Sequence, residues 1–217
     1  MKYLLGGLFF LILACRSDKK YHTTTTIDKV QIKSKTIQEI LVFQRELNET
    51  FKNPETSPLP DRYRKDFEGL DFFKPDTNYV VTARFERTPD EVPFLMHTTT
   101  EEKRTEVVYG IAHFQLHGKQ HRLEIYQNPD LIPQEEYKDY LFLPFLDETN
   151  GNETYGGGRY IDLIIPKGDT IVINFNKAYN PYCVYNKKYS CPLVPRQNYL
   201  RTNMRVGVMA FKKNKSL

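Results

Sequence analysis

The stretch Tyr160-Ile161-Asp162-Leu163-Ile164-Ile165-Pro166-Lys167-Gly168-Asp169-Thr170-Ile171-Val172-Ile173-Asn174-Phe175 decides the fold. On both sides of its Pro-Lys-Gly-Asp centre, apolar residues recur at every second position, the period of a strand with one buried face. A three-residue loop, Lys167-Gly168-Asp169, sets Ile165 against Ile171, Leu163 against Ile173 and Ile161 against Phe175. That register gathers one apolar face, which is how register is normally fixed. The expectation is a hairpin whose other face carries Tyr160 and Asp162 beside Asn176 and Asn174.

Working outward, the same character recurs at Tyr79 to Phe85, Val107 to Leu116, Arg122 to Tyr126 and Tyr140 to Leu146. These segments are rich in β-branched and aromatic residues and separated by Gly, Pro, Asn and Asp. A tight turn around His117-Gly118-Lys119 puts Phe114, Leu116, Leu123 and Ile125 on one face, and His113, Gln115, Arg122 and Glu124 on the other. Helix is confined mainly to the N-terminal third. Thr36-Ile37-Gln38-Glu39 has the form of a capping box, Ile37, Ile40, Leu41, Leu47 and Phe51 share a helical face, and Pro54 ends it. After the rigid connector Ser57-Pro58-Leu59-Pro60, Asp61 opens a short helix towards Phe67. The expected class is mainly β (α+β): an antiparallel meander closing as a sandwich or barrel, preceded by one long and one short helix.

The chain has 217 residues, 40% of them hydrophobic, with 15 Tyr, 14 Phe and no Trp. This is a globular composition without a break that would divide it. The formal charge of +4 is concentrated at the two ends, so the body has no basic footprint for nucleic acid, and that class is discarded. Lys2 precedes an apolar run from Tyr3 to Leu13 that is too short to span a bilayer. It has the length of a secretory h-region, and Ile12-Leu13-Ala14-Cys15 resembles a bacterial lipobox. The expected organisation is a signal peptide over 1–14, lipidated Cys15 opening a polar tether over 15–26, and a single β-rich domain over 27–217. The place is the cell envelope, periplasmic or outer face, and the first partner is the membrane itself.

The unusual residues flank the Tyr160–Phe175 stretch. Glu153-Thr154-Tyr155-Gly156-Gly157-Gly158-Arg159 leads in, and Asn176-Lys177-Ala178-Tyr179-Asn180-Pro181-Tyr182-Cys183 leads out. In an antiparallel hairpin both flanks emerge at one end of the sheet. The glycines serve either as a sharp turn or, beside Arg159, as an anion-binding nest; they lack P-loop and dinucleotide spacing. Arg159 with Asp162 reads as an ion pair or as part of a catalytic set. In an exported protein Cys183 and Cys191 read first as a disulfide, with a nucleophilic Cys183, a zinc site or two separate thiols as alternatives. No histidine lies in 122–217 to act as base for Cys183. His113, His117 and His121 have helical spacing but sit on a hairpin, where they do not converge on one ion.

The strings SPLP (57–60), FEGLDFF (67–73), ETYGGGRYIDL (153–163) and NFNKAYNPYCVYNKKYSCPL (174–193) closely resemble the bacterial family known as domain of unknown function 1684, from about Leu41 to Val206. The chain departs from it at Val194-Pro195-Arg196-Gln197-Asn198, where the family carries a proline run before an acidic residue and Asn. The resemblance implies the fold and no established activity. The functional expectation is a binding module for a small polar or anionic ligand, a saccharide or cell-wall fragment. Tyr155, Gly156, Gly157, Gly158, Arg159, Tyr160, Asn174, Asn176, Tyr179 and Asn180 are its candidate contacts, with no cofactor and no metal. The competing readings are a hydrolase using a Glu153/Asp162 carboxylate pair with Arg159, and a purely structural interaction lipoprotein.

Overall fold

The computed structural model describes residues 24–212, with side chains described from residue 31. A long helix α1 (Thr24–Lys52) and one turn of helix α2 (Asp61–Arg64) precede strands β1 (Val80–Arg87), β2 (Phe94–His97), β3 (Lys103–Leu116), β4 (Lys119–Gln127), β5 (Tyr140–Asp147), β6 (Arg159–Ile164), β7 (Thr170–Asn174) and β8 (Tyr199–Leu200). The strand order is β6-β5-β4-β3-β1-β7, with β2 added to β3 and β8 to β5. Every pairing is antiparallel except β5 with β8. The sheet curls into a half-barrel.

Six of these strands stand where the β-branched and aromatic segments were expected. The β3–β4 hairpin turns through His117 and Gly118, at φ 50° and 75°. Two successive positive φ values give a turn whose twist suits the flanking strands. Phe114, Leu116, Leu123 and Ile125 point into the core as expected, and His121 stacks on Phe114 at 5.5 Å between ring centroids.

The expected β6–β7 hairpin does not form. β6 pairs with β5 through Tyr140↔Ile164 to Phe145↔Arg159, and β7 pairs with β1 through Val80↔Asn174 to Arg84↔Thr170. The two strands are opposite edges of the curled sheet, joined in sequence at one end and stapled at the other. There Tyr160 and Tyr179 exchange N–H···O bonds of 2.9 and 3.0 Å. The faces were nonetheless right: Ile161, Leu163, Ile171, Ile173 and Phe175 all enter the one inner core, together with Phe85, Leu141, Leu143 and Phe145. Burial depends on which side of the sheet a residue faces, and curling satisfies that side without a ladder between the two strands. Each such side chain contributes about 1.5–3 kcal/mol.

Helix α1 begins at Thr24, inside the stretch read as a polar tether, and Thr36 is an interior residue rather than its cap. Ile40 and Phe51 are buried and Leu47 is partly so, whereas Leu41 is 43% exposed. Phe51 seats the helix end edge-on against Tyr185, with centroids 4.6 Å apart. In α2 the residue before the first turn is Pro60, and Asp61 instead holds Arg64 at 3.1 Å. Cys15 and the leader lie outside the described residues.

Candidate functional site

Strand alternation splits β5 and β6 between two environments. Leu141, Leu143, Ile161 and Leu163 face the inner core, while Tyr140, Phe142, Tyr160 and Asp162 face the other way. Over that second face lie α1, through Phe43 and Leu47, and the segment from Tyr179 to Pro192. Between them is a cavity of about 310 Å³, also lined by Arg104, Tyr182, Tyr189, Ser190 and Cys191. Five tyrosines thus surround one carboxylate and one guanidinium.

Their hydrogen bonds set the polarity of the cavity. Asp162 Oδ1 accepts from Tyr140 Oη at 2.8 Å and from Tyr179 Oη at 2.6 Å. Burial, then the Asp162 charge, pushes both phenols above the ordinary range, so both remain donors. Tyr160 donates its hydroxyl to the carbonyl of Pro192, which ties the covering loop to β6. Arg104 comes from β3 and pairs through Nε with Glu106 Oε1 at 2.9 Å. Glu106 is fully buried, and desolvation raises its carboxyl to about 7 against the pull of Arg104. No histidine lines the cavity.

Of the residues singled out in the sequence, Tyr160, Asp162 and Tyr179 meet here. The others are placed differently. Arg159 pairs with neither Glu153 nor Asp162. It is completely buried, with Nη2 donating to Asp147 Oδ2 at 2.9 Å and to Met204 O at 2.8 Å. Its Nη1 donates to the carbonyls of Val206 and Val208. Glu153 instead receives Arg205, at 2.9 and 3.0 Å. Asn176 is buried and brackets Asp76, accepting from its N–H at 2.8 Å and donating to its carbonyl at 2.9 Å. Asn174 caps the turn that follows β7, accepting from Asn176 N–H. Asn180 holds the carbonyl of Met209 at 3.0 Å. These polar groups bind the chain to itself.

The glycines also act structurally. Gly158 has φ 90°, and a Cβ there would stand 2.6 Å from the carbonyl oxygen of Phe145. At Gly157 the intruding contact is the Tyr155 ring, at 2.5 Å. The turn is therefore glycine because β5 and Tyr155 leave no room, and its last N–H, that of Gly158, is spent on Tyr155 O. Cys183 and Cys191 are free thiols rather than the expected disulfide. They are nevertheless neighbours, and Cys183 N–H donates to Cys191 Sγ at 3.2 Å.

Sequence reading missed Arg104, Tyr140, Tyr182 and Tyr189 as cavity residues. Arg104 sits in Glu101-Glu102-Lys103-Arg104, which reads as a solvated charge run. The available signal was its two-residue spacing from Glu106, which puts both on one side of a strand. Among the described residues no group of three or more His, Cys, Asp or Glu is placed to hold a metal ion, and no helix is long and apolar enough to cross a membrane.

The family described as "Protein of unknown function (DUF1684)" matches residues 65–209, and the chain belongs to it. None of the curated proteins compared matches the chain. Among solved structures, the solution NMR structure of an uncharacterized protein from Haloarcula marismortui is similar, with 29% identity and a TM-score of 0.64; the match covers 82% of this chain and 96% of that one.

Proposed function

We propose that this member of the DUF1684 family is a binding module for a small polar ligand combining a ring with an anionic group, such as an acidic saccharide or cell-wall fragment. The observation that carries the reading is the composition of the cavity: five tyrosines around Asp162 and Arg104. Its volume of about 310 Å³ suits one small molecule. Tyrosine faces stack on a ring at little entropic cost, since few torsions are fixed. Asp162, with both tyrosine bonds on Oδ1, offers its second oxygen to a ligand hydroxyl. Arg104 supplies a planar donor fork for carboxylate or phosphate. The hydrolase alternative is weaker because Glu153 is engaged by Arg205 and, unlike Asp162, is not among the residues lining the cavity.

The lipid-anchored envelope reading stands beside this proposal and rests on Ile12-Leu13-Ala14-Cys15. Cys15→Ala moves the protein from the membrane to the soluble fraction if that reading is right, because a single thiol carries the whole attachment.

The binding reading is tested by thermal shift of the full chain in detergent against glucuronate, N-acetylglucosamine, glucose 6-phosphate, muramyl dipeptide and inorganic phosphate. A ligand at 100 times its Kd stabilises the fold by about 2.7 kcal/mol, a shift of several degrees. The expected result is a shift with an acidic sugar that disappears in both Asp162→Asn and Arg104→Gln. A shift that survives both substitutions, or none with any probe, refutes the assignment.

A further inference from the structure

The two thiols beside the cavity are held in unequal environments. Cys183 sits in the short turn Tyr182–Val184 and is partly exposed, whereas Cys191 is buried and lines the cavity. The far end of their loop is pinned to the Thr98–Thr100 segment. Cys191 N–H donates to Thr99 Oγ1 at 3.1 Å, and Thr99 N–H donates to Cys191 O at 2.8 Å. The loop's N-terminal end is fixed by the Cys183 N–H···Sγ bond to Cys191. Cys191, Thr99 and Tyr155 all stand close enough to Cys183 to influence its thiol.

We propose that Cys183 and Cys191 form a thiol–disulfide exchange site for small disulfides, with Cys183 as the attacking thiol and Cys191 as the resolving one. Two adjacent thiols of unequal exposure favour the thiolate, the nucleophilic form, at the more exposed one, and partial exposure gives a substrate access to Cys183. The charge distribution agrees. The Cys191 bond outweighs desolvation and brings the Cys183 thiol down to about 6, while Cys183 and burial push Cys191 up, so it keeps its proton. In the first step Cys183 thiolate attacks one sulfur of RS–SR. That S–S bond breaks and RS⁻ departs, leaving a Cys183–SR mixed disulfide. Cys191 then loses its proton to the departing thiolate and attacks the Cys183 sulfur, and the second RS⁻ leaves. The substrate disulfide is reduced by two electrons to one thiol, protonated by Cys191, and one thiolate, which takes its proton from water, and the protein pair is oxidised to Cys183–Cys191. Because Cys191 is a cavity wall, this oxidation alters the pocket. The exchange chemistry does not depend on what the pocket binds.

The test uses the full chain, reduced and then exposed to oxidised glutathione, with iodoacetamide quenching and peptide mass spectrometry. Wild type is expected to yield the Cys183–Cys191 link, Cys191→Ser a stable glutathione adduct on Cys183, and Cys183→Ser no adduct on Cys191. Alkylation of the unmodified protein provides a readout that needs no variant. A thiol titrating near 6 gains about tenfold in rate from pH 5 to pH 7, whereas an ordinary thiol gains about a hundredfold. Equal reactivity of the two thiols, a hundredfold profile at Cys183, or a link that dithiothreitol does not open would each overturn the proposal.

Discussion

Replacing Arg159 with alanine removes a guanidinium that is 0% exposed and touches four acceptors, Asp147 and the carbonyls of Met204, Val206 and Val208. Asp147 Oδ1 keeps its bonds from Thr149 N–H at 2.8 Å and Met204 N–H at 3.2 Å, but Oδ2 loses its ion pair. Removing one partner of a buried pair costs about 3–5 kcal/mol, since the remaining charge is stranded. Carbonyls left without donors add about 1 kcal/mol each where water does not reach them. Met204 O keeps the Val206 N–H at 2.8 Å, so two carbonyls are stranded and the expected loss is about 5–7 kcal/mol, at the low end of a domain's whole stability. Ile173→Val, deep in the core, should cost only about 1 kcal/mol. Urea unfolding followed by tyrosine fluorescence measures both. Because Arg159→Ala is expected to populate unfolded chain without denaturant, Arg159→Lys provides an intermediate point that retains the charge but loses the fork. Limited proteolysis should show cleavage rising first between residues 204 and 208. An Arg159→Ala protein within about 1 kcal/mol of wild type, at unchanged m, would mean that the clamp contributes no more than a surface contact.

Three further outcomes follow from the same structure. Glu106 titrates near 7 in the fold, above its ordinary 4.5, so the folded chain retains a proton that the unfolded chain has lost. Its contribution is full below the unfolded value and disappears as pH rises through the folded one. Wild type should then lose about 3 kcal/mol between pH 4.5 and pH 8 relative to Glu106→Gln, and parallel urea curves would contradict this. Gly158→Ala meets both a positive φ and a 2.6 Å approach to Phe145 O, whereas Gly156→Ala finds nothing nearer than 3.6 Å. The first should destabilise by about 2 kcal/mol or more and the second by less than about 1, and equal midpoints would show that the turn does not need its last glycine. Phe51→Ala should cost about 3–5 kcal/mol and raise hydrogen exchange across residues 40–52, because that ring seats α1; unchanged exchange would place the anchor elsewhere.

The fold was legible wherever period-two alternation settles a residue's side of the sheet. The facing segments of β3, β4, β6 and β7 were visible in this way, and so was the inward set from Ile161 to Phe175; β1 and β5 were visible only as β-branched and aromatic runs between breakers. What alternation does not carry is the identity of a strand's neighbour. β6 and β7 are adjacent in sequence with matching faces, which is the local signature of a hairpin, yet each has a longer partner elsewhere. The candidate site was half legible for a related reason. Tyr160, Asp162 and Tyr179 lie in one conspicuous stretch, but Arg104 and Tyr140 come from strands far away in sequence. Arg159 and Asn176 misled because a buried polar side chain and a ligand-binding one have the same letters; only the coordinates reveal whether the acceptor is a ligand or the chain's own backbone.

Those self-directed polar residues have a kinetic consequence. Asn176 fastens Asp76, 100 residues away, Asn198 fastens Glu124 across 74, and Arg159 fastens Val206 across 47. None of these bonds forms by local search, and each leaves an unsatisfied buried group when the strands close in a shifted register. The apolar faces drive collapse, but collapse accepts several registers, while the distant polar contacts accept one. Folding should thus be slow for its size, as long-range pairing dictates, with register checked late. The final check waits for residues 204–208, so a nascent chain still lacking them holds a collapsed sheet with its arginine and aspartate uncovered.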